Sequence, residues 1–178
     1  MPYFTHGETK YKLIILYIAE RAGALLSGDQ LYRTAILNSG MDYFTFWNVI
    51  GELEEDGMLA AVKKPYGDCY GITDAGRDAL SMFEKTVPEN ERRKLDAYLD
   101  ENRAAFARET QLSSRIEKRP NGVTLHLYVS ERDRAIFSVS LDTASEEQAI
   151  EMRSRWDDCS ESIYNYVWDA LLNRQDAK

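Results

Sequence analysis

The sequence predicts an α+β protein in two parts, from three observations. Residues 1–86 show helix-type spacing of apolar residues, interrupted by one alternating stretch, and a helix of about 22 residues follows. Residues 111–178 alternate in three runs before a last helical run. We therefore expect a first domain over residues 1–86, a linker helix over 87–110, and a small α+β domain over 111–178. In the small domain, a three-stranded antiparallel sheet is covered by a long C-terminal helix.

Three helices are predicted at the start of the first domain. The first ends at Gly23, and the second opens with Ser27 and Gln30 at the spacing of a capping box and closes near Gly40. Asp42 caps the third helix. The apolar residues expected to face the core are Leu13, Ile14, Tyr17 and Ile18 in the first helix and Phe46, Val49, Ile50 and Leu53 in the third.

A hairpin and a fourth helix complete the first domain. The stretch "MLAAVKKPYGDCYGIT" alternates on both sides of a turn that contains Pro65 and Gly67. Thr73 or Asp74 then caps a helix. Its residues available for packing are Ala79, Leu80 and Phe83.

The rest of the chain is predicted to contain one long helix, three strands and a final helix. Pro88 begins the long helix. The strands cover roughly 111–119, 123–129 and 134–141, and a turn at 120–122 joins the first two. The inward residues are predicted to be Leu95, Tyr98, Leu99 and Phe106 in the long helix; Val123, Leu125, Leu127 and Val129, then Ala135, Phe137, Val139 and Leu141 in the strands; and Met152, Trp156, Cys159, Ile163 and Val167 in the final helix.

The order of elements over residues 9–86 resembles the winged helix-turn-helix superfamily. The stretch "GITDAGRDAL" resembles the I-T-x-x-G-x-x-x-L junction of bacterial regulators of the MarR and PadR types. With "YFTFWNVIGELEEDGML" and "EEQAIEMRSRW", the whole chain is similar to a bacterial family catalogued as domain of unknown function number four-three-six-four. That family is described as a regulator by analogy of fold, so the resemblance implies a fold and brings no ligand or catalytic residue.

The charge balance argues against a general attraction to nucleic acid or to anionic membranes. The chain has 22 basic and 30 acidic residues, a net charge of −8. Residues 1–86 contain 8 basic and 12 acidic residues, and the third helix contains no Lys or Arg. Any contact with DNA must therefore be local.

If the first domain binds double-stranded DNA, the third helix lies in the major groove. We then expect Thr45 and Asn48 at the base edges, and Lys63 and Lys64 of the hairpin beside the minor groove or at flanking phosphates. Tyr43 is predicted to belong to the same DNA-binding surface. Two alternatives stay open. The acidic helix end is equally consistent with a solvated surface, and paired lysines on a hairpin also protect a strand edge from aggregation.

Enzymatic chemistry is not predicted. His6 and His126 stand far apart, Cys69 and Cys159 follow no nucleophile motif, and no glycine-rich phosphate loop occurs. We expect no catalytic residue, no metal and no cofactor. The two cysteines have no CxxC spacing, and the longest apolar run, Leu13–Ala19, is far shorter than the roughly 20 residues of a membrane span. A cytoplasmic protein that neither spans a membrane nor is secreted is expected.

The final helix has more aromatic residues than one small sheet can cover. Either it also packs on the first domain or the linker helix, or it forms a symmetric dimer contact, which we favour because helix-turn-helix regulators bind two half-sites. Tyr164, Trp168 and Leu172 are the predicted dimer residues. The predicted function is a non-enzymatic transcriptional regulator that binds DNA. The alternatives are a winged-helix module that binds a protein partner and a regulator that senses a small molecule.

Overall fold

The computed structural model describes residues 6–131 and 134–172. Within them it contains seven α-helices and two three-stranded antiparallel sheets, so the predicted α+β class is confirmed. The chain forms two compact units with a boundary between Phe106 and Ala107. The elements are α1 (His6–Ala22), β1 (Leu26–Ser27), α2 (Gly28–Ser39), α3 (Tyr43–Glu55), β2 (Leu59–Lys64), β3 (Gly67–Ile72), α4 (Asp74–Phe83), a 3-10 turn (Glu84–Thr86), α5 (Glu89–Gln111), β4 (Leu112–Arg119), β5 (Gly122–Glu131), β6 (Arg134–Thr143), α6 (Glu146–Ser154) and α7 (Trp156–Leu172).

Helix α1 forms the centre of the first unit. The sequence predicted one apolar side, whereas every residue of Leu13–Ala19 is buried. The reason is that α1 contacts α2, α3, α4 and β3, so few of its directions remain open to solvent. A helix enclosed in this way is apolar all round, and a single stripe underestimates its contribution to the core.

The small sheet of the first unit has the strand order β1-β3-β2. The hairpin of β2 and β3 was predicted, and Lys64 pairs with Gly67 across its end. Strand β1 was not predicted, because two residues are too few to show alternation. It pairs Leu26 with Tyr70 and Ser27 with Cys69, so the sheet edge is joined directly to the start of α2.

The predicted helix caps are confirmed. The Ser27 hydroxyl accepts a hydrogen bond from the Gln30 N–H at 3.2 Å, and the Gln30 side chain accepts one from the Ser27 N–H at 3.0 Å. Gly40 ends α2 with φ +66°, a conformation that favours glycine. Asp42 caps α3. These local hydrogen bonds determine where α2 ends and α3 begins.

The junction "GITDAGRDAL" packs α4 closely on the start of the hairpin. The Gly76 N–H donates to the Thr73 hydroxyl at 3.1 Å, so Thr73 rather than Asp74 supplies this capping bond. A Cβ atom at Gly76 would lie 2.2 Å from the Met58 carbonyl oxygen, which explains the glycine. Leu80 is buried as predicted, but Phe83 is 51% exposed and does not join the core.

Most of α5 belongs to the core of the first unit. Leu95, Leu99 and Phe106 are buried with the residues of α1, and Tyr98 packs against the same cluster. The Gln30 side-chain amide donates to the Phe106 carbonyl at 3.0 Å in a buried hydrogen bond. The N-terminus of α2 is thereby fixed to α5.

The second unit has a β4-β5-β6 sheet with one face covered by helices. Leu125, Leu127, Ala149 and Trp156 form its buried core. The sequence predicted one long C-terminal helix, which is wrong: α6 and α7 are separated at Arg155, whose N–H bonds to the Met152 carbonyl three residues back. After this tight turn, Trp156 is buried and its indole N–H donates to the Tyr128 carbonyl at 3.3 Å.

Strand β6 also departs from the predicted pattern at its start. Phe137 pairs with Val129, but Ala135 pairs with Ser130, because a β-bulge shifts the register between them. Ser130 follows Val129 in β5, so consecutive side chains there point to opposite faces. Ala135 therefore lies on the face opposite to Phe137, contrary to the expectation that they share one.

Candidate nucleic-acid interface

The first turn of α3 is fixed by the Asp42 carboxylate. One oxygen accepts from the Thr45 N–H at 2.9 Å, and the other accepts from the Thr45 hydroxyl at 3.0 Å. These hydrogen bonds, from the backbone first and then the side chain, hold the pKa of Asp42 below its usual value. Because the hydroxyl of Thr45 already donates to the cap, it is less suited to donate to a base than the sequence suggested.

The outer face of α3, which we define as Phe44, Asn48, Gly51 and Glu55, faces away from the core. Phe44 is 79% exposed, and Asn48 and Glu55 are also exposed. Among residues 6–131 and 134–172, and leaving aside the adjoining backbone of α3, no atom lies within 4 Å of the position that a Cβ on Gly51 would take. A shallow cleft of about 410 Å³ runs along Asn48, Gly51 and Glu55. The sequence had identified Asn48 as a site residue, but it had not identified Phe44.

Tyr43 and Trp47 attach α3 to the rest of the unit. The Tyr43 ring is 54% exposed and contacts Tyr32 with ring centroids 5.5 Å apart. The Trp47 ring lies 6.2 Å from Tyr70 of β3, and a Cβ at Gly28 would come within 2.6 Å of the indole. Trp47 therefore packs between α3, β3 and the start of α2, so the outer face of α3 has a fixed position on this unit.

Lys12 of α1 compensates two of the acidic residues of α3. Its ammonium is 2.9 Å from a Glu52 carboxylate oxygen and 3.1 Å from one of Asp56. Burial acts to lower the pKa of Lys12, but the hydrogen bonds to Glu52 and Asp56 outweigh it and the pKa is raised. The sequence did not indicate this contact, because Lys12 and Asp56 are 44 residues apart.

The two lysines of the hairpin lie at the end of β2. The Lys63 side chain is 90% exposed, and its ammonium is 4.0 Å from an Asp68 oxygen. Lys64 is half-buried. The structure thus places Tyr43, Thr45 and Asn48 on α3, and Lys63 and Lys64 together at the hairpin end of the same unit.

A second exposed surface lies on α7. Of the predicted dimer residues, Tyr164 packs on its own sheet, with its ring 5.7 Å from Phe137. Trp168 is 48% exposed and Leu172 is exposed. Tyr166 and Leu171, which the sequence had not selected, are also large apolar residues exposed on α7. Ile163 was predicted to face inward but is 36% exposed, because α7 places Tyr164 on the sheet instead.

Two features of the second unit concern metal binding and small-molecule sensing: His126 and a surface groove. His126 lies on the uncovered sheet face, 2.8 Å from the Ser140 hydroxyl and 3.0 Å from a Glu117 oxygen. No group of residues suited to a metal ion occurs in the described part of the chain. A groove of about 560 Å³ between β5, β6 and α7 has mixed apolar and charged walls, including Val129, Tyr164 and Asp158. A small-molecule sensor stays a prediction.

Cys69 is buried and Cys159 is half-buried, and within residues 6–131 and 134–172 no disulfide joins them. Among those residues, no helix combines the length and apolar character that crossing a membrane requires.

The sequence matches, over residues 11–171, the model of a family described as a domain of unknown function. This match confirms the resemblance to domain of unknown function number four-three-six-four, whereas the resemblance to the winged helix-turn-helix superfamily stays a prediction. No match to a curated protein is found.

Proposed function

Because the chain belongs to DUF4364, a family described as a domain of unknown function, we propose its function from its geometry. Its first unit is a winged helix that binds double-stranded DNA, and the protein is a non-enzymatic transcriptional regulator.

The observation that carries the proposal is the connection between α2 and α3. Three residues, Gly40 to Asp42, join two capped helices, and this short turn is typical of helix-turn-helix proteins. The hairpin β2–β3 follows α3 directly and is completed by β1, as in a winged helix. In such proteins the second helix of the pair enters the major groove with its N-terminal residues at the base edges.

The contact between Lys12 and α3 reduces the electrostatic objection to DNA. Glu52 and Asp56 each lie about 3 Å from a buried ammonium, so their charges are partly compensated within the unit. Glu54 and Glu55 are at the C-terminal end of α3, away from the end that would enter the groove. The few cations near the surface, Lys63 and Lys64, make the expected electrostatic affinity small.

The DNA proposal is tested by titrating the full chain with labelled duplexes at 50 mM salt, first of random sequence and then selected from genomic fragments. We expect binding below about 10 μM, with a shallow slope of log affinity against log salt of about −2 to −4 for a dimer. Lys63→Glu with Lys64→Glu should weaken binding to all duplexes alike and flatten that slope.

A charge-matched control is Lys85→Glu with Lys94→Glu, which changes two exposed lysines outside the hairpin. It should alter the affinity much less than the hairpin variant. Equal losses in both variants would mean that net charge, and not the hairpin, controls binding. If wild-type protein binds no duplex under these conditions, the DNA proposal is wrong.

The regulator is further proposed to be a homodimer through α7. The exposed Trp168, Leu171 and Leu172 form an apolar surface on this helix, which is unfavourable in water and suited to a second copy. Trp168→Ala with Leu172→Ala should convert a dimer to a monomer in sedimentation, whereas Tyr164→Phe, which keeps the ring on Phe137, should not. A wild-type monomer at tens of micromolar would contradict this.

A second candidate function has its own support in the same unit. Leu37, Tyr43 and Phe44 are exposed apolar side chains, and α3 carries no basic residue. This combination also suits a protein partner with an apolar, basic surface. Absence of DNA binding, together with a charge-dependent complex with such a protein, would favour the interaction module.

A further inference from the structure

Phe44 is the most exposed large aromatic residue of the first unit as described, and the fold does not use its ring. The side chain is 79% exposed, whereas Phe46, two positions later on the same helix, is completely buried. The ring contact of Phe44 is with Tyr43, at 6.1 Å between centroids. Packing within the unit therefore accounts for Phe46 but not for the aromatic ring at position 44.

The groups around Phe44 limit what this surface can recognise. Asn48 lies one helical turn away on the same face, and its exposed side chain offers two donors and one acceptor. Thr45 is less available, because its hydroxyl donates to Asp42. The first two turns of the outer face thus present one apolar ring and one amide, with no charged side chain between them.

Gly51 leaves room for a partner to approach this face closely. Glycine inside a helix costs stability relative to alanine. Apart from the adjoining backbone of α3, a Cβ at Gly51 would meet no atom of the described residues within 4 Å, so packing among them does not require the glycine. A bare backbone at this position does allow a partner to lie nearer to α3 than any side chain would permit.

In the major groove, the apolar group at a base edge is the 5-methyl of thymine, and an amide pairs best with N6 and N7 of adenine. Phe44 and Asn48 are separated by about 6 Å along the helix, close to the rise of two base pairs. Resting on the proposed DNA-binding function, we infer that Phe44 packs on a thymine methyl and Asn48 bonds an adenine within two base pairs of it. The half-site recognised by α3 is therefore defined by T·A pairs.

The experiment uses the full chain and its best selected duplex, in which each thymine in turn is replaced by deoxyuridine. This change removes the 5-methyl group and leaves the Watson–Crick edge unchanged. The affinity of wild-type protein should fall about fourfold for each methyl contacted, because this factor corresponds to the free energy of burying one methylene-sized group. Phe44→Ala should bind the thymine and deoxyuridine duplexes equally.

The matched control is Phe83→Ala, which removes an exposed aromatic ring from α4. It should keep the full preference for thymine. In parallel, Asn48→Ala should lose the sensitivity of wild-type protein to 7-deazaadenine, which lacks the N7 acceptor. Because Phe44 and Asn48 are exposed, both variants should melt at the wild-type temperature, which checks that they are folded.

The outcomes separate this inference from the proposed function. Binding that is indifferent to deoxyuridine at every position, or a Phe44→Ala variant that still prefers thymine, overturns the role of Phe44 while DNA binding stands. If wild-type protein binds no duplex at all, the proposed function fails and the inference fails with it. A thymine preference lost in Phe44→Ala and kept in Phe83→Ala supports both.

Discussion

At the scale of single residues, Tyr17 couples the stability of the first unit to alkaline pH. Its buried phenol donates to an Asp96 oxygen at 2.8 Å. Burial first, and then this hydrogen bond to a carboxylate, raises the pKa of Tyr17 to about 12 from its usual 10. The neutral phenol is thus favoured in the folded protein. The stabilisation that Tyr17 gives to the folded protein is fully present below pH 10 and is lost as the pH rises through about 12.

Tyr17→Phe should therefore lower the free energy of unfolding by about 1 kcal/mol at neutral pH, because one hydrogen bond is lost. Its stability should also fall less steeply than that of wild type between pH 10 and 12, as measured by urea denaturation. Tyr166→Phe, at an exposed position, should follow the wild-type curve. Parallel curves for Tyr17→Phe and wild type would contradict this account.

At the scale of elements, two helical glycines are predicted to respond to alanine in opposite ways. In Gly76→Ala the new Cβ would lie 2.2 Å from the Met58 carbonyl oxygen, so α4 must move from the hairpin, at about 1–3 kcal/mol. In Gly51→Ala the Cβ meets open space, and the gain in helix propensity should stabilise by about 0.5–1 kcal/mol. Thermal unfolding of the two variants provides the test. A destabilised Gly51→Ala would show that packing, after all, requires the glycine.

The elements also show how far the sequence can predict this structure. The caps at Ser27, Gly40 and Asp42 were predictable, because each depends on residues within a few positions. The separation of α6 from α7 was not, because the apolar spacing continues across Arg155 and it is the burial of Trp156 on the sheet that favours the turn. The role of Lys12 depends on carboxylates far away in the chain, so only the folded arrangement reveals it.

The site was predictable to a similar degree. The exposed position of Asn48 was predictable from helix periodicity, because residues of α3 that are not spaced to face the core lie on its outer face. Phe44 lies on the same face by the same periodicity, but it was not selected as a site residue, because only the folded unit shows that its ring is 79% exposed. The role of Thr45 stays a prediction, but helix periodicity alone could not show that its hydroxyl donates to Asp42.

At the scale of the whole molecule, the two units have separate cores of very different size. Leu125, Leu127, Ala149 and Trp156 are the buried apolar residues of the second core, whereas the first core extends from α1 to Phe106. Leu125→Ala should destabilise the second unit by about 2–5 kcal/mol, because it leaves a cavity in a small core. Amide hydrogen exchange should then show lost protection over residues 112–172, with protection kept over α1–α4.

Leu141→Ala is the control for that experiment, because Leu141 of β6 pairs with Leu125 of β5 but is 36% exposed. It should change protection much less. Loss of protection in both units at once, in the Leu125→Ala variant, would show that the molecule unfolds as one cooperative body.

The position of Trp47 provides the protein with an intrinsic optical reporter. The chain contains three tryptophans, and Trp156 and Trp168 both lie in the second unit. Trp156 is buried in the core of the second unit and Trp168 lies on α7, whereas the Trp47 ring of α3 lies beside Phe46, Tyr43 and Tyr70. Trp47 belongs to the same helix as Phe44 and Asn48, so a macromolecule that binds there would change the wavelength or intensity of its emission. Association could then be followed in real time without an attached dye.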